Sequence, residues 1–175
     1  MSGTRWLSDE EQRIWRAYLA STRLLQEALE RQLQRDSGMP HAYYMILAML
    51  SEAPNREMTM TRLACVTGFS ASRLSHAMAR LEEKGWVRRV KHERDRRTTM
   101  AELTCEGFAI LEATAPGHVE EVRRRLFDPL TPEQAQGFRD VLAALMDAYA
   151  REEDDTGTED RPLTPWAPGC PPGPC

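Results

Sequence analysis

The segment from Phe69 to Leu103, FSASRLSHAMARLEEKGWVRRVKHERDRRTTMAEL, changes its hydrophobic period partway along, and that change restricts the folds open to it. Leu74, Ala77, Met78 and Leu81 recur every three or four residues, which marks the buried face of a helix running from a Ser70 cap to Lys84, with Gly85 as its stop. Two β-prone runs follow, Trp86–His92 and Thr98–Leu103, joined by the charged stretch Glu93–Arg97, and the three pieces read as a hairpin. Nine cationic residues lie between Arg73 and Arg97 against four acids. A basic helix followed by a basic hairpin is a shape that enters one DNA groove and straddles the next.

Charge elsewhere in the chain sharpens this reading. The net charge is −4, yet six acids and two bases fall in residues 151–175, which leaves residues 1–150 neutral with a local excess of five positive charges on the helix–hairpin segment. Such asymmetry suits a surface that faces a polyanion. Arginine outnumbers lysine 21 to 2 throughout, so position and not abundance carries the inference.

No run approaches 18 apolar residues and the first residues lack a signal-peptide pattern, so a cytoplasmic protein without membrane association is expected. Cys65, Cys105, Cys170 and Cys175 form no C-x-x-C pair and no cluster reaches a zinc ligand count, so neither a metal site nor a cofactor is expected. No nucleophile–base pair, carboxylate pair or phosphate loop appears, which argues against an enzyme.

Ser8 and Glu11 form a capping box for a first helix of about 28 residues, well beyond the usual globular length of about 11–12. Ile14, Tyr18, Leu25, Leu29 and Leu33 step along it as one apolar seam, better suited to a second subunit than to this chain alone. A nearly all-apolar helix begins at His41 and ends before Pro54, and a short helix from Met60 to Val66 stops at Gly68. Joined by Thr67-Gly68-Phe69 to the helix beginning after Ser70, it has helix-turn-helix spacing. Thr104 caps a further long helix in which Pro116-Gly117 is expected to produce a kink or opening. Thr131, Pro132 and Gln134 start a last helix through about Arg151. The acidic, then Pro/Gly-rich residues 152–175 are expected to be disordered.

On the basic helix, Ser72, His76, Ala79, Arg80 and Glu83 lie opposite the apolar face, with Arg73 beside them. Its first turns approach base edges best, so Ser72, Arg73 and His76 are candidate base readers, and Arg73 suits bidentate contact with guanine. Arg80 is placed to grip phosphate, and Ser70 and Ser75 to donate hydroxyls to it. Arg94, Arg96 and Arg97 crowd one short loop, which favours an anionic partner. Asp95 would pair with one of them.

The order of elements resembles the MarR (multiple antibiotic resistance regulator) family of winged-helix transcription factors. MTRLACVTGFSASRLSHAMARLEEKGWVRR resembles its recognition module, and DRRTTMAELTCEG its wing signature, with Asp95 and Arg97 in the Asp-x-Arg positions and Leu103, Thr104 and Gly107 in the following motif. The resemblance implies a mainly α fold with a small β-hairpin wing, a winged helix-turn-helix lobe on a helical dimerisation platform. Residues 39–103 would be the DNA-binding lobe, and residues 1–38 and 104–151 the platform.

It further implies a homodimer on a pseudo-palindromic double-stranded DNA operator, acting as a repressor released by a small aromatic or anionic effector. Asp95 and Arg97 would stiffen the wing, leaving Arg94 or Arg96 to enter a minor groove. Trp6, Leu7, Trp15, Leu126, Phe127, Leu130, Phe138, Leu142, Leu145 and Tyr149 would build the dimer face. An effector would meet His41, Tyr43 and Tyr44, with Arg16 or Arg23 supplying positive charge; packing aromatics are the other reading of each ring. His118 reads as a surface residue, and Cys65 as inert packing. The competing reading of the whole is a winged-helix scaffold or protein-interaction module without DNA binding.

Overall fold

The computed structural model describes residues 3–92 and 95–156, with side chains through Arg151. Helix α1 (Asp9–Ser37) opens on the capping box, the Ser8 hydroxyl accepting from the Glu11 amide and the Glu11 carboxylate from the Ser8 amide. It ends at Gly38, whose φ of 63° lets its amide reach back to the last carbonyls. The predicted single seam of α1 divides in two. Ala28, Leu29 and Leu33 are buried in this chain, while Ile14, Trp15, Tyr18 and Leu19 are exposed.

Helix α2 (His41–Glu52) buries Tyr44, Ile46, Leu47 and Leu50. A tight turn at Pro54–Arg56 leads into β1 (Glu57–Thr59), then α3 (Met60–Thr67), α4 (Ala71–Glu83), β2 (Val87–Lys91) and β3 (Thr99–Leu103). The hairpin expectation is therefore incomplete: β3 lies between β1 and β2 in a three-stranded antiparallel sheet, with Met58 opposite Ala101 and Arg89 also opposite Ala101 on the other side. Pairing β1 supplies partners for the backbone of β3, which would otherwise be an open edge. Leu63, Leu74, Met78, Leu81, Val87 and Leu103 join α2 residues in one core.

Helix α5 (Cys105–Val122) runs through Pro116 without interruption, contrary to the expected opening. The irregular stretch comes later, as a π-turn at Arg123–Phe127. Gly117 explains what the Pro-Gly pair achieves. A Cβ there would lie 3.2 Å from Gln32 Nε2, so the missing side chain lets α1 and α5 approach closely. His118, expected at the surface, is buried, with its ring 4.1 Å from that of Tyr44 and 5.7 Å from that of His41. The α2 helix covers it, a crossing that the local sequence around His118 does not disclose.

Helix α6 (Pro132–Thr156) starts on a reciprocal cap between Thr131 and Gln134. It continues past Arg151, five residues into the segment expected to be disordered; residues 157–175, with Cys170 and Cys175, lie outside the described residues. Its contact with the rest of the described chain is at most marginal. Phe138, Val141, Leu142, Leu145 and Tyr149 are all exposed along it.

Candidate nucleic-acid interface

The helix-turn-helix begins with a Thr59 cap on α3, whose hydroxyl accepts from the Arg62 amide, and turns at Gly68 with φ 67°. Ser70 then caps α4, its hydroxyl oxygen accepting from the Arg73 amide at 3.2 Å. Leu74, Ala77, Met78 and Leu81 anchor α4 in the core, as their spacing predicts. Ser72, Arg73, Ser75, His76 and Arg80 consequently face outward, all exposed. The Arg73 guanidinium stands 4.2 Å from the centre of the Phe69 ring, a contact that holds it over the first turn while its N–H edges remain available.

The wing departs from expectation in one detail. Asp95 does tighten the loop, but through the backbone: Oδ1 accepts from the Arg97 amide at 3.0 Å and Oδ2 from the Thr98 hydroxyl at 2.8 Å. These bonds, the Thr98 one foremost, hold the Asp95 carboxyl below the usual carboxylate range. Among the described residues no ion pair engages the Arg97 or Arg96 guanidinium, and both side chains are exposed. A two-residue turn leaves the Arg97 amide nearer to Asp95 than its long side chain, which is why the stiffening bond goes to the main chain. Arg94, the remaining wing candidate, lies outside the described residues.

Several cations of the segment are engaged by this chain's own acids. Arg80 pairs with Glu83 at 2.9 Å, Arg88 with Glu102 at 2.5 Å and Arg89 with Glu82 at 2.7 Å. The Arg80 pair is exposed on both sides, so it is a weak tie that a phosphate can displace, whereas Arg88 grips the half-buried Glu102 with two bonds. Arg89 differs: its side chain is 30% exposed and donates to Glu82 and to the Ser75 carbonyl, and its backbone amide donates to Glu82 as well, a role that the charge run alone does not reveal.

The aromatic residues expected around an effector separate. His41 lines a cleft of about 790 Å3 between α1, α2 and the α3–α4 turn, with Arg31, Met45, Phe69 and Arg73 also on its wall. Tyr43 lines a neighbouring groove of about 530 Å3 with Arg73, His76 and Arg80. Tyr44 is buried against His118 and faces neither. Arg16 and Arg23 lie outside both linings, Arg16 bonded to Gln12 and Arg23 to Glu27. The cationic residues on the cleft wall are Arg31 and Arg73, which the sequence reading did not assign to it. Among the described residues no His, Cys, Asp or Glu group is arranged to hold a metal ion. No described helix is long and apolar enough to cross a membrane.

Comparison with known proteins places this geometry. The MarR family sequence model matches residues 37–98, from the end of α1 into the wing. Sco3205 of Streptomyces coelicolor, a MarR family transcriptional regulator solved in complex with DNA, is 48% identical, covering 85% of this chain and 92% of that one with a TM-score of 0.78. AbsC, a MarR family transcriptional regulator of the same organism, is 41% identical over 84% of this chain and 99% of that one, also at 0.78. The HTH-type transcriptional regulator PecS of Dickeya dadantii is 38% identical over 74 residues, which span 42% of this chain and 44% of PecS.

Proposed function

Because this chain belongs to the MarR family of transcriptional regulators, we propose that it is a homodimeric repressor that grips a pseudo-palindromic operator and lets go on binding a small aromatic or anionic effector. Two α4 helices enter successive major grooves about one DNA turn, roughly 34–36 Å, apart. Ser72, Arg73 and His76 face base edges. Ser70, Ser75 and Arg80 face phosphates, and Arg96 and Arg97, with Arg94, serve the minor groove beside them, where narrowing concentrates negative potential.

The observation that carries this reading is the sorting of the positive charges. Arg89 is held inside the lobe by Glu82, whereas Arg73 on α4 and Arg96 and Arg97 on the wing are exposed with no ion pair among the described residues. A scaffold module would have no reason to keep unneutralised guanidinium groups at both positions, since each adds repulsion without a partner.

Dimerisation rests on the platform. Helix α6, the first half of α1 and the residues just before it expose apolar side chains, Trp6 at 84% and Ile14 at 61% among them, that find no cover among the described residues. A patch of this kind marks a protein interface. The effector occupies the His41 cleft between Arg31 and Arg73, and releases DNA by preferring the form that does not fit the operator.

A gel-shift against the DNA upstream of its own gene tests the reading. Expected is one retarded species on a palindrome of about 16–20 bp, lost when either half-site is scrambled. Equal, salt-insensitive retention of unrelated DNA overturns it.

A further inference from the structure

Arg89 ties the wing to the reading helix by three bonds that have no other evident purpose. Its backbone amide donates to Glu82 Oε1 at 2.9 Å, its Nη1 to Glu82 Oε2 at 2.7 Å and its Nη2 to the Ser75 carbonyl at 2.9 Å. Glu82 belongs to the last turn of α4, and Ser75 lies two turns earlier, between the candidate base readers Arg73 and His76. One planar guanidinium on β2 therefore spans the two halves of α4. A helix carbonyl has a second lone pair free for such a donor, and the forked geometry of arginine permits both bonds at once.

Hydrophobic packing alone leaves that angle softer. On the core side α4 is held by Leu74, Ala77, Met78 and Leu81, all of which sit on one stripe and allow the helix to roll about it. The Arg89 fork sits off that stripe. It opposes rolling because it fastens α4 to β2 away from the packing stripe, through Ser75 and Glu82.

We propose that Arg89 is a positioning residue for DNA recognition: it touches no DNA, and it locks the pitch of α4 against the wing so that Arg73 and Arg96 meet adjacent grooves together. The inference rests on the DNA-binding reading above. It assigns to one cation of the basic segment an internal duty where charge counting would assign a phosphate contact. The two duties differ in their salt signature, because only a phosphate contact releases counterions.

The test uses the full-length protein carrying Arg89→Lys, Arg89→Gln or Glu82→Gln, with folding checked by circular dichroism. Operator affinity is measured across a salt series, followed by a double-mutant cycle of Arg73→Ala and Arg96→Ala in the wild-type and Arg89→Gln backgrounds. Expected is a roughly tenfold loss of affinity in Arg89→Gln and in Glu82→Gln, with the slope against log salt unchanged. Lysine, a point donor that cannot fork, should rescue only part of it. The cycle should show coupling between Arg73 and Arg96 in the wild type and additivity once Arg89 is replaced.

A slope shallower by about one phosphate makes Arg89 a DNA contact and overturns the proposal. Unchanged affinity, or coupling that survives the replacement, overturns it as well. Should the wild-type protein show no affinity for its operator above that for unrelated DNA, the DNA-binding reading has failed instead, and the two failures are thereby distinct. If Arg89→Gln does not fold, Glu82→Gln carries the same cycle, since it removes the acid that anchors the fork and leaves every cation in place.

Discussion

The imidazole of His118 on α5 lies against the phenol ring of Tyr44 on α2, centroids 4.1 Å apart and planes tilted by 40°, and this contact ties α5 to α2. Burial, and next the proximity of His41, depress His118 from the ordinary 6.5 to about 4. Unfolded chains therefore bind a proton between those values that the folded chain refuses. The stability due to the neutral ring is complete above pH 6.5 and is lost as pH falls toward 4, a difference of about 3 kcal/mol at most. His41, also lowered by burial, acts in the same direction. Denaturant midpoints taken from pH 7 to pH 4 should fall more steeply for the wild type than for His118→Phe, which keeps a ring against Tyr44. Parallel curves would dispose of the linkage.

Gly107 allows α5 to begin directly beneath the sheet. A Cβ on it would stand 2.0 Å from the Trp86 carbonyl oxygen, while Thr104 accepts from the Gly107 amide and donates to the Gly85 carbonyl at 2.7 Å. Backbone has to move to admit even one methyl group. Gly107→Ala should lower the unfolding free energy by about 1–3 kcal/mol or more, read from chemical denaturation. Gly3→Ala, with open space around it, is the matched control.

What the sequence discloses here follows the range of the interaction. The caps at Ser8, Ser70 and Thr104, the stops at Gly68 and Gly85, and the apolar stripe of α4 are all set within a few residues, and each is legible. Strand β1 is not, because three residues hold no period and its pairing with Ala101 crosses much of the lobe. The burial of His118 is hidden from the sequence for a related reason: it depends on α2. The Leu-Thr-x-x-Gly motif was visible as a pattern, yet its cause, contact with the Trp86 carbonyl, lies on another element. Charge counting found the basic segment but could not say which cations pair internally. Arg89 and Glu82 are seven residues apart across a turn, and only the turn's geometry brings them together.

Arg73 stands at the exposed first turn of α4, and in the proposed role a bidentate pair with guanine would separate the right base from a wrong one. Arg73→Ala should cost about 1–3 kcal/mol on the preferred operator and much less on a variant altered at the contacted base. Competition binding with a panel of single-base operator variants measures this. An equal penalty on every sequence would reassign Arg73 to the backbone.

Arg96, exposed on the wing, should behave in the opposite manner. Arg96→Ala is expected to weaken all operators alike and to flatten the dependence of log affinity on log salt by about one contact. Fluorescence anisotropy between low and physiological salt supplies the slope. If the slope holds while affinity falls, Arg96 acts by shaping the wing.

Leu145 offers the sharpest division between a dimer and an isolated chain. It is 43% exposed on α6, a helix with at most marginal contact to the rest of the described protein. In a monomer, Leu145→Glu is a surface change, worth within about 0.5 kcal/mol. In a dimer built on α6 it buries a charge against the partner's apolar side chains, where an uncompensated carboxylate is costly. Light scattering coupled to size exclusion should therefore give twice the chain mass for the wild type and a shift toward single chains for the variant. Operator affinity should fall with it, because two linked reading heads gain from effective concentration that a single head lacks. An unchanged single-chain mass for both proteins would remove the dimer, and with it the one-turn spacing of the half-sites.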